Sequence, residues 1–145
     1  MSSITKTNTQ DLPEVLKLLR LVELPIEGVK EHFQNFFIER KDKMTIGCIG
    51  IEIYGNLGLL RSVAIHPSFQ GKGLGQQMVS KIEEYSAEKG LHKIYLLTDT
   101  AEKFFLKLGY LLVSRDEVDP RIKQSIEYTT LCPSSPVMMK KITSI

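Results

Sequence analysis

Apolar residues recur along this chain at two spacings, which predict an alternation of helices and strands. Residues 12–22 carry apolar side chains three and four positions apart, the spacing of a helix with one buried face. Asp11 and Glu14 have the spacing of a capping box at the start of this helix. Val29, Phe33 and Phe36 then indicate a second short helix or a turn that leads into a strand.

Strand patterns follow the second helix. Residues 36–39, 45–54 and 57–65 are rich in β-branched and aromatic residues, which indicates three strands. Residues 41–43 have the composition of a hairpin turn, and Gly55-Asn56 joins the second strand to the third. The first half of the sheet is therefore predicted to be an antiparallel meander.

After residue 65 the order becomes helix, strand, helix. Residues 74–88 have helical spacing and stop before Gly90, and residues 93–98 form a short buried strand. Because a crossover through a helix is right-handed and joins parallel strands, the strands at 57–65 and 93–98 are expected to be parallel neighbours.

The last third of the chain contains two helix starts and one strand. Asp99 and Glu102 have capping-box spacing before a helix that would end at Gly109, and Asp119-Pro120 would begin a helix through Ile126. Residues 137–142 are predicted to be the final strand. The predicted fold class is α/β, a mixed and mostly antiparallel sheet with a central parallel pair and helices on both faces, in one domain of residues 1–145.

Composition excludes several classes of function. No apolar run approaches the roughly 20 residues that a membrane helix needs, and the polar start lacks the apolar core of a secretory signal, so a cytoplasmic protein is expected. Cys48 and Cys132 lack metal-ligand spacing and the three histidines are scattered, so we expect free thiols and no metal. A net charge of +2, with dispersed lysines, predicts no nucleic-acid partner.

The strongest chemical signal is residues 70–75, Gln-Gly-Lys-Gly-Leu-Gly, placed between a strand and a helix. Glycines let a ligand approach the backbone, and unpaired amides at a helix start favour an anion such as pyrophosphate. A Walker loop is excluded because Gly71-Lys72 is followed by Gly73. A dinucleotide fingerprint is excluded because Gln76 occupies the position of its third glycine.

The motif Gln70-x-x-Gly73-x-Gly75, directly after a strand ending in Val-Ala-Ile-His-Pro, resembles the acetyl-CoA loop of the GNAT family of N-acetyltransferases. The later segment Ala101-x-x-x-Phe105-x-x-x-Gly109-Tyr110 is similar to a second pattern of that family. Weaker similarity in residues 60–65, 95–98 and 127–133 resembles the branch associated with arsenic-resistance operons, whose members include acetyltransferases of arsenic-containing amino acids.

The resemblance implies acetyl-CoA as co-substrate and the primary amine of a small molecule as acceptor, with an arsenic- or phosphorus-containing amino acid as the narrower expectation. The amine would attack the thioester directly, and a strand N–H near Val63 or Ile65 would stabilise the developing oxyanion. By resemblance the cofactor-binding residues are Val63, Ala64, Ile65, Gln70, Gly71, Lys72, Gly73, Leu74, Gly75 and Phe105. Phe105 departs from the family, since many members carry there a tyrosine that protonates the leaving thiolate.

Other candidate site residues come from their chemistry. Glu52 is a candidate catalytic base and Glu127 a candidate base and substrate contact, although either carboxylate could instead lie on a solvated face. Arg61 shares a strand face with Val63 by simple alternation, so its guanidinium could bind an acceptor carboxylate or be paired structurally. Cys132 is an alternative nucleophile without an identifiable histidine partner.

Two other functions fit the same residues. The loss of the tyrosine at Phe105 is compatible with a catalytically silent acetyl-CoA-binding module, and a protein-interaction domain could retain the same fold. The C-terminal strand could also offer an exposed edge through which the chain forms a homodimer.

Overall fold

A computed structural model of the chain describes residues 3–142. The strands are β1 (Thr5–Lys6), β2 (Phe36–Lys41), β3 (Met44–Tyr54), β4 (Leu57–Ile65), β5 (Lys93–Leu97), β6 (Leu111–Val113) and β7 (Val137–Lys141). The α-helices are α1 (Leu12–Leu21), α2 (Leu74–Glu88) and α3 (Glu102–Lys107). None of the helices within residues 3–142 has both the length and the apolar character that a bilayer crossing requires.

The strands of this part of the chain pair in the order β1-β2-β3-β4-β5-β7-β6. β1 and β2 pair antiparallel, as do β2 and β3. β4 and β5 pair in parallel, with Leu57 opposite Lys93 and Leu60 opposite Leu96. The prediction of a mixed, mostly antiparallel sheet with a central parallel pair is therefore confirmed.

The predicted free edge at the C-terminal strand is wrong. β7 pairs with β5 on one side and with β6 on the other, so β6 and not β7 lies at that edge of the described sheet. β6 was not predicted because it has only three residues. All three are apolar, so the sequence shows no alternation of apolar and polar positions there. The homodimer prediction consequently loses its structural argument.

The described residues form two compact units, of which the first comprises residues 3–51 and 62–84. Its main core cluster joins α1 to the sheet and contains Val15, Leu18, Leu19, Val29, Phe33, Phe36, Ile38, Cys48 and Ala64. Gly47 precedes Cys48 on β3, and a Cβ at Gly47 would contact Leu74 and Met78 of α2. Successive strand residues point to opposite faces, so in this unit α1 and α2 cover opposite faces of the sheet.

The second unit comprises residues 52–61 and 85–142. Its core cluster on one face of the sheet contains Leu57, Leu59, Tyr95, Val118, Ile122, Tyr128 and Val137. On the opposite face of β7, Lys140 Nζ donates to the Leu108 carbonyl at 2.8 Å and lies 5.6 Å from the Tyr110 ring. These contacts hold the end of α3, so this unit also has packing on both faces.

The predicted Asp11/Glu14 capping box is wrong. Asp11 instead accepts a hydrogen bond from the Asn8 amide at 2.8 Å, and the Asn8 side chain caps the 3₁₀ turn Thr9–Asp11 that precedes α1. The Asp11 carboxylate also pairs with Arg40 of β2. Asp11 is therefore the last residue of a capping box that begins at Asn8, and not the first residue of one that ends at Glu14.

The predicted Asp99/Glu102 capping box is also wrong. Asp99 accepts a hydrogen bond from Ser135 Oγ at 3.0 Å, a residue 36 positions away. The Ala101 amide, at the start of α3, is instead capped by Thr98 Oγ1 at 2.9 Å. Asp99 therefore binds a residue distant in the sequence, although its local spacing predicted that it would cap the helix.

The cap at Asp119 is confirmed, since its carboxylate accepts from the Arg121 amide at 2.9 Å. The helix that follows is shorter than predicted: a 3₁₀ helix, Pro120–Gln124, ends because Ser125 has an extended backbone. A separate π-helical turn, Glu127–Leu131, comes next.

Candidate active site

The second half of β4 leaves the parallel ladder. Pairing between β4 and β5 ends at Leu60, opposite Leu96, although β4 itself continues to Ile65. Val63 and Ile65 are only half-buried. The parallel ladder with β5 therefore ends before Val63 and Ile65, the residues predicted to lie along the thioester.

Ser62 separates the two halves of β4. Its φ of 59° lies in the left-handed region, which a non-glycine residue rarely adopts within a strand. The regular pleat is interrupted there, so period-two alternation does not carry from Arg61 to Val63. The predicted shared face of Arg61 and Val63 therefore lacks its geometric basis.

The glycine loop follows β4 through a short 3₁₀ turn, Pro67–Phe69. Gln70 Nε2 donates to the Ile65 carbonyl at 3.0 Å, which ties the loop to the strand end. Gly71 and Gly73 have φ values of 79° and 83°, and a Cβ on either would meet no heavy atom within 4 Å. The loop thus has the left-handed conformations that favour glycine and open space beside its backbone.

Helix α2 begins immediately after this loop. The Gln77 amide donates to the Gly73 carbonyl at 3.1 Å. The amides of residues 74–76 lie N-terminal to Gln77. They are at the positive end of the dipole of α2, a helix of 15 residues. Lys72 Nζ lies 5.7 Å from the Phe69 ring, which adds a positive charge at the loop. The sequence-predicted loop residues therefore form a geometry suited to a phosphate group.

Phe105, the remaining predicted cofactor residue, is a buried side chain of α3. Its ring packs edge-on against Phe104 and Tyr110, with centroids 5.0 and 5.5 Å away. These contacts give Phe105 a packing role within the second unit.

The structure brings Glu52, Arg61 and Glu127 together in a buried charge cluster. Arg61 Nη1 lies 2.8 Å from Glu52 Oε2, and the side chains of both residues are fully inaccessible to solvent. Arg61 Nε lies 3.2 Å from Glu127 Oε2, and the Glu127 side chain is 7% exposed. Tyr54 extends the cluster, because its hydroxyl donates to Glu52 Oε1 at 2.5 Å.

The cluster contains two carboxylates and one guanidinium, so its charges do not balance when both carboxylates are ionised. Burial, reinforced by the negative charge of Glu52 and opposed by Arg61, raises the pKa of Glu127 to about 7. Burial and the same Glu52 carboxylate also raise the pKa of Tyr54. Glu127 is therefore poised to exchange a proton near neutral pH.

The Glu127 backbone is held by contacts that sequence reasoning missed. Ser125 Oγ accepts from the Glu127 amide at 3.1 Å, and the Cys132 amide donates to the Glu127 carbonyl at 2.8 Å. Arg115 donates to the Cys132 and Ser135 carbonyls and lies 4.7 Å from the Tyr128 ring. These contacts fix the π-helical turn, a conformation frequent at functional sites, and the sequence offered no local signal for it.

The cysteines are free thiols, as predicted. Burial raises the pKa of Cys48 to about 12 and also raises that of Cys132. Because the thiolate is the reactive form, neither environment favours a nucleophile. Within residues 3–142, no three His, Cys, Asp or Glu side chains are grouped to hold a metal ion.

Comparison with known proteins decides the family. Residues 6–110 match the acetyltransferase (GNAT) family. The chain belongs to the GNAT acetyltransferase family. Membership confirms the predicted class, an acyl-CoA-dependent N-acetyltransferase that uses acetyl-CoA. The glycine loop lies inside the matched region of this GNAT protein.

Related sequences include an uncharacterised N-acetyltransferase of Chlorobaculum tepidum, 29% identical over 78% of this chain and 71% of the relative. An amino-acid acetyltransferase of Edwardsiella ictaluri is 26% identical over 85% of this chain. The GNAT chain described here spans only 30% of the length of that second relative.

Solved structures share the fold. An N-acetylglutamate synthase from Neisseria gonorrhoeae, complexed with coenzyme A and N-acetyl-glutamate, has a TM-score of 0.84 at 21% identity. The match covers 97% of this chain and 35% of that one. An aminoglycoside 6'-N-acetyltransferase complexed with coenzyme A has a TM-score of 0.74 at 20% identity, over 98% of both chains. The predicted GNAT fold is confirmed.

Proposed function

We propose that this protein transfers the acetyl group of acetyl-CoA to the primary amine of a small amino acid. The observation that carries the proposal is the geometry at the end of β4, where backbone groups leave the parallel ladder just before an open glycine loop. This arrangement suits a long, thin ligand that has a thioester and amide arm at one end and a pyrophosphate further along.

In this proposal the pyrophosphate lies on the amides of residues 70–75, and the thioester lies along Val63, Ala64 and Ile65. The Val63 N–H donates to the carbonyl oxygen of the acetyl group as negative charge develops there. The amine nitrogen attacks the carbonyl carbon directly, so no residue of the chain forms a covalent intermediate.

The names of related proteins support an amino acid as acceptor. The Edwardsiella ictaluri relative is an amino-acid acetyltransferase, and the Neisseria gonorrhoeae structure contains N-acetyl-glutamate. The resemblance of residues 60–65, 95–98 and 127–133 to the arsenic-resistance branch supports a narrower acceptor, an arsenic- or phosphorus-containing amino acid.

Binding of acetyl-CoA is tested by titration calorimetry on wild-type protein and on Gly73→Val. The matched control is Gly90→Val, because Gly90 has a φ of 79° and equally open space but lies at the end of α2. Both variants carry the same backbone strain, so only Gly73→Val should abolish binding. Unchanged acetyl-CoA affinity in Gly73→Val would remove the basis of the proposal.

The acceptor is tested by following coenzyme A release with L-glutamate, a phosphinate amino acid, an arsenic-containing amino acid and an uncharged primary amine. N-acetylation of an amino acid, with little release from the uncharged amine, supports the proposal. Binding of acetyl-CoA without transfer to any of the four would instead favour the catalytically silent module, for which Phe105 is the motivating residue.

A further inference from the structure

An open pocket of about 300 Å³ lies between the β2–β3 hairpin and the glycine loop, and its lining residues all belong to the first compact unit. Lys41 at the end of β2 lines it, together with Lys72 of the loop and Phe69 of the 3₁₀ turn before the loop. We propose that Lys41 and Lys72 bind the 3′-phosphate of acetyl-CoA in this pocket. The inference rests on the proposed function, and it adds a site for the phosphate that lies outside the pyrophosphate.

The two lysines contact the same aromatic ring. Lys41 Nζ lies 5.4 Å from the centre of the Phe69 ring, and Lys72 Nζ lies 5.7 Å from that centre. The negative face of an aromatic ring attracts a cation at such distances. Phe69 is therefore a positioning residue, which holds two ammonium groups from distant parts of the sequence at one pocket.

The positive charge of these two lysines is not balanced by a neighbouring carboxylate. Within residues 3–142 neither lysine forms an ion pair, and both side chains are exposed. The other charged side chains that line the pocket are engaged: Arg40 pairs with Asp11, and Ser3 Oγ donates to the Glu39 carboxylate. Two ammonium groups near one ring repel each other, so a bound anion would stabilise their arrangement.

Backbone hydrogen bonds fix the position of the ring between the hairpin and the loop. The His66 amide donates to the Ile46 carbonyl of β3 at 2.7 Å, and the Phe69 amide donates to the His66 carbonyl at 2.8 Å. The His66 ring also packs edge-on against Phe69, with centroids 6.0 Å apart. Ile46 and Leu74 add apolar surface to the pocket, which suits the carbon atoms of a sugar.

The chemistry of acetyl-CoA matches this combination of groups. Its 3′-phosphate is attached to the ribose that follows the pyrophosphate. Because Lys72 belongs both to the loop proposed for the pyrophosphate and to the pocket, the two phosphate sites are adjacent, as a single intervening ribose requires. A phosphate monoester carries between one and two negative charges near neutral pH. Two lysines, each a flexible point charge with three donors, are suited to bind it.

The test is titration calorimetry with acetyl-CoA and with 3′-dephospho-acetyl-CoA, an analogue that lacks only this phosphate. Wild type should bind acetyl-CoA about 10-fold more tightly than the analogue, as expected for hydrogen bonds to a charged group in an open site. Lys41→Met keeps an apolar stem without the charge. It should lose most of this preference and leave the affinity for the analogue unchanged. Lys72→Met should also reduce the preference.

The matched control is Lys89→Met. Lys89 is an exposed lysine directly after α2, and its Nζ lies 5.5 Å from the Tyr85 ring, so it makes the same kind of contact outside the pocket. This variant should keep the wild-type preference. Phe69→Leu retains an apolar side chain but removes the ring that holds both lysines. It should reduce the preference for acetyl-CoA without changing the affinity for the analogue.

The outcomes separate this inference from the proposed function. Equal affinity of wild type for acetyl-CoA and the analogue would overturn the 3′-phosphate site and leave acetyl-CoA binding at the glycine loop intact. A preference that survives in Lys41→Met, or that Lys89→Met loses equally, would also overturn it. If wild type binds no acetyl-CoA, the proposed function fails, and the inference fails with it.

Inorganic phosphate distinguishes the 3′-phosphate from a separate phosphate-bearing ligand. Phosphate titrated into wild type saturated with acetyl-CoA should give no further binding, because the pocket is already occupied. Binding to this complex that Lys41→Met abolishes would assign the pocket to a different ligand and would refute the proposal.

Discussion

The Glu127 carboxyl makes the stability of this protein depend on pH in a direction opposite to that of most salt-bridged acids. Its pKa rises from an ordinary 4.5 to about 7 on folding, so the folded state binds the proton more tightly than the unfolded chain does. Below the unfolded pKa both states are protonated. Between the two values the unfolded chain gives up its proton first, and folding loses stability as pH rises.

The size of this effect follows from the shift. Each pKa unit corresponds to about 1.4 kcal/mol, so the difference between 4.5 and about 7 costs the folded protein about 3 kcal/mol once the pH exceeds both values. Glu127→Gln has the same shape without the proton and removes this dependence. The free energy of unfolding of wild type, minus that of Glu127→Gln, should therefore fall by about 3 kcal/mol between pH 4 and pH 8.

The measurement is urea denaturation of both proteins at intervals of one pH unit, with Glu117→Gln as the control for removing an exposed glutamate. The subtraction cancels the titration of groups that do not interact with Glu127. A difference that stays constant within about 0.5 kcal/mol, or that rises with pH, would show that Glu127 is not destabilised in its ionised form. The electrostatic reasoning about the cluster would then be refuted.

Three further substitutions test packing and chemistry. Gly50→Ala places a Cβ 2.2 Å from a ring carbon of the buried Phe36 and should cost about 1–3 kcal/mol in urea denaturation. Gly47→Ala, on the same strand, contacts flexible side chains at 3.0 Å or more and should cost less; equal losses would contradict the difference in packing. Phe105→Tyr should change kcat by less than the roughly 100-fold effect of a general acid, and a large gain would show that the site is built for a tyrosine.

The fold could be predicted from the sequence where the decisive interactions were local. The composition of residues 41–43 predicted a turn, and Asp42 and Lys43 adopt positive φ values of 51° and 68° in a hairpin. The glycine loop could be predicted for the same reason. Gly71 and Gly73 adopt left-handed backbone conformations, which glycine favours without help from distant residues. Helical spacing likewise predicted α1 and α2, because one face of each helix must pack against a sheet.

Predictions based on local spacing failed where a distant partner competed. Asp99 had good spacing for a helix cap, but Ser135 approaches its carboxylate from 36 residues away. The site was only half predictable for a similar reason. Glu52, Arg61 and Glu127 could be chosen by their chemistry. The unusual backbone of Ser62, however, removes the simple alternation between Arg61 and Val63, and the contacts of Arg115 near Glu127 join distant parts of the sequence.

The conformation of Ser62 also affects how this enzyme could be altered. A continuous strand couples all its side chains, because rotating one residue changes the direction of every later residue. Ser62 ends that coupling midway along β4, after the last residue that pairs with β5 and before the backbone assigned to the thioester. If residues 63–65 hold the thioester as proposed, substitutions that precede Ser62 on β4 are expected to leave acetyl-CoA affinity unchanged.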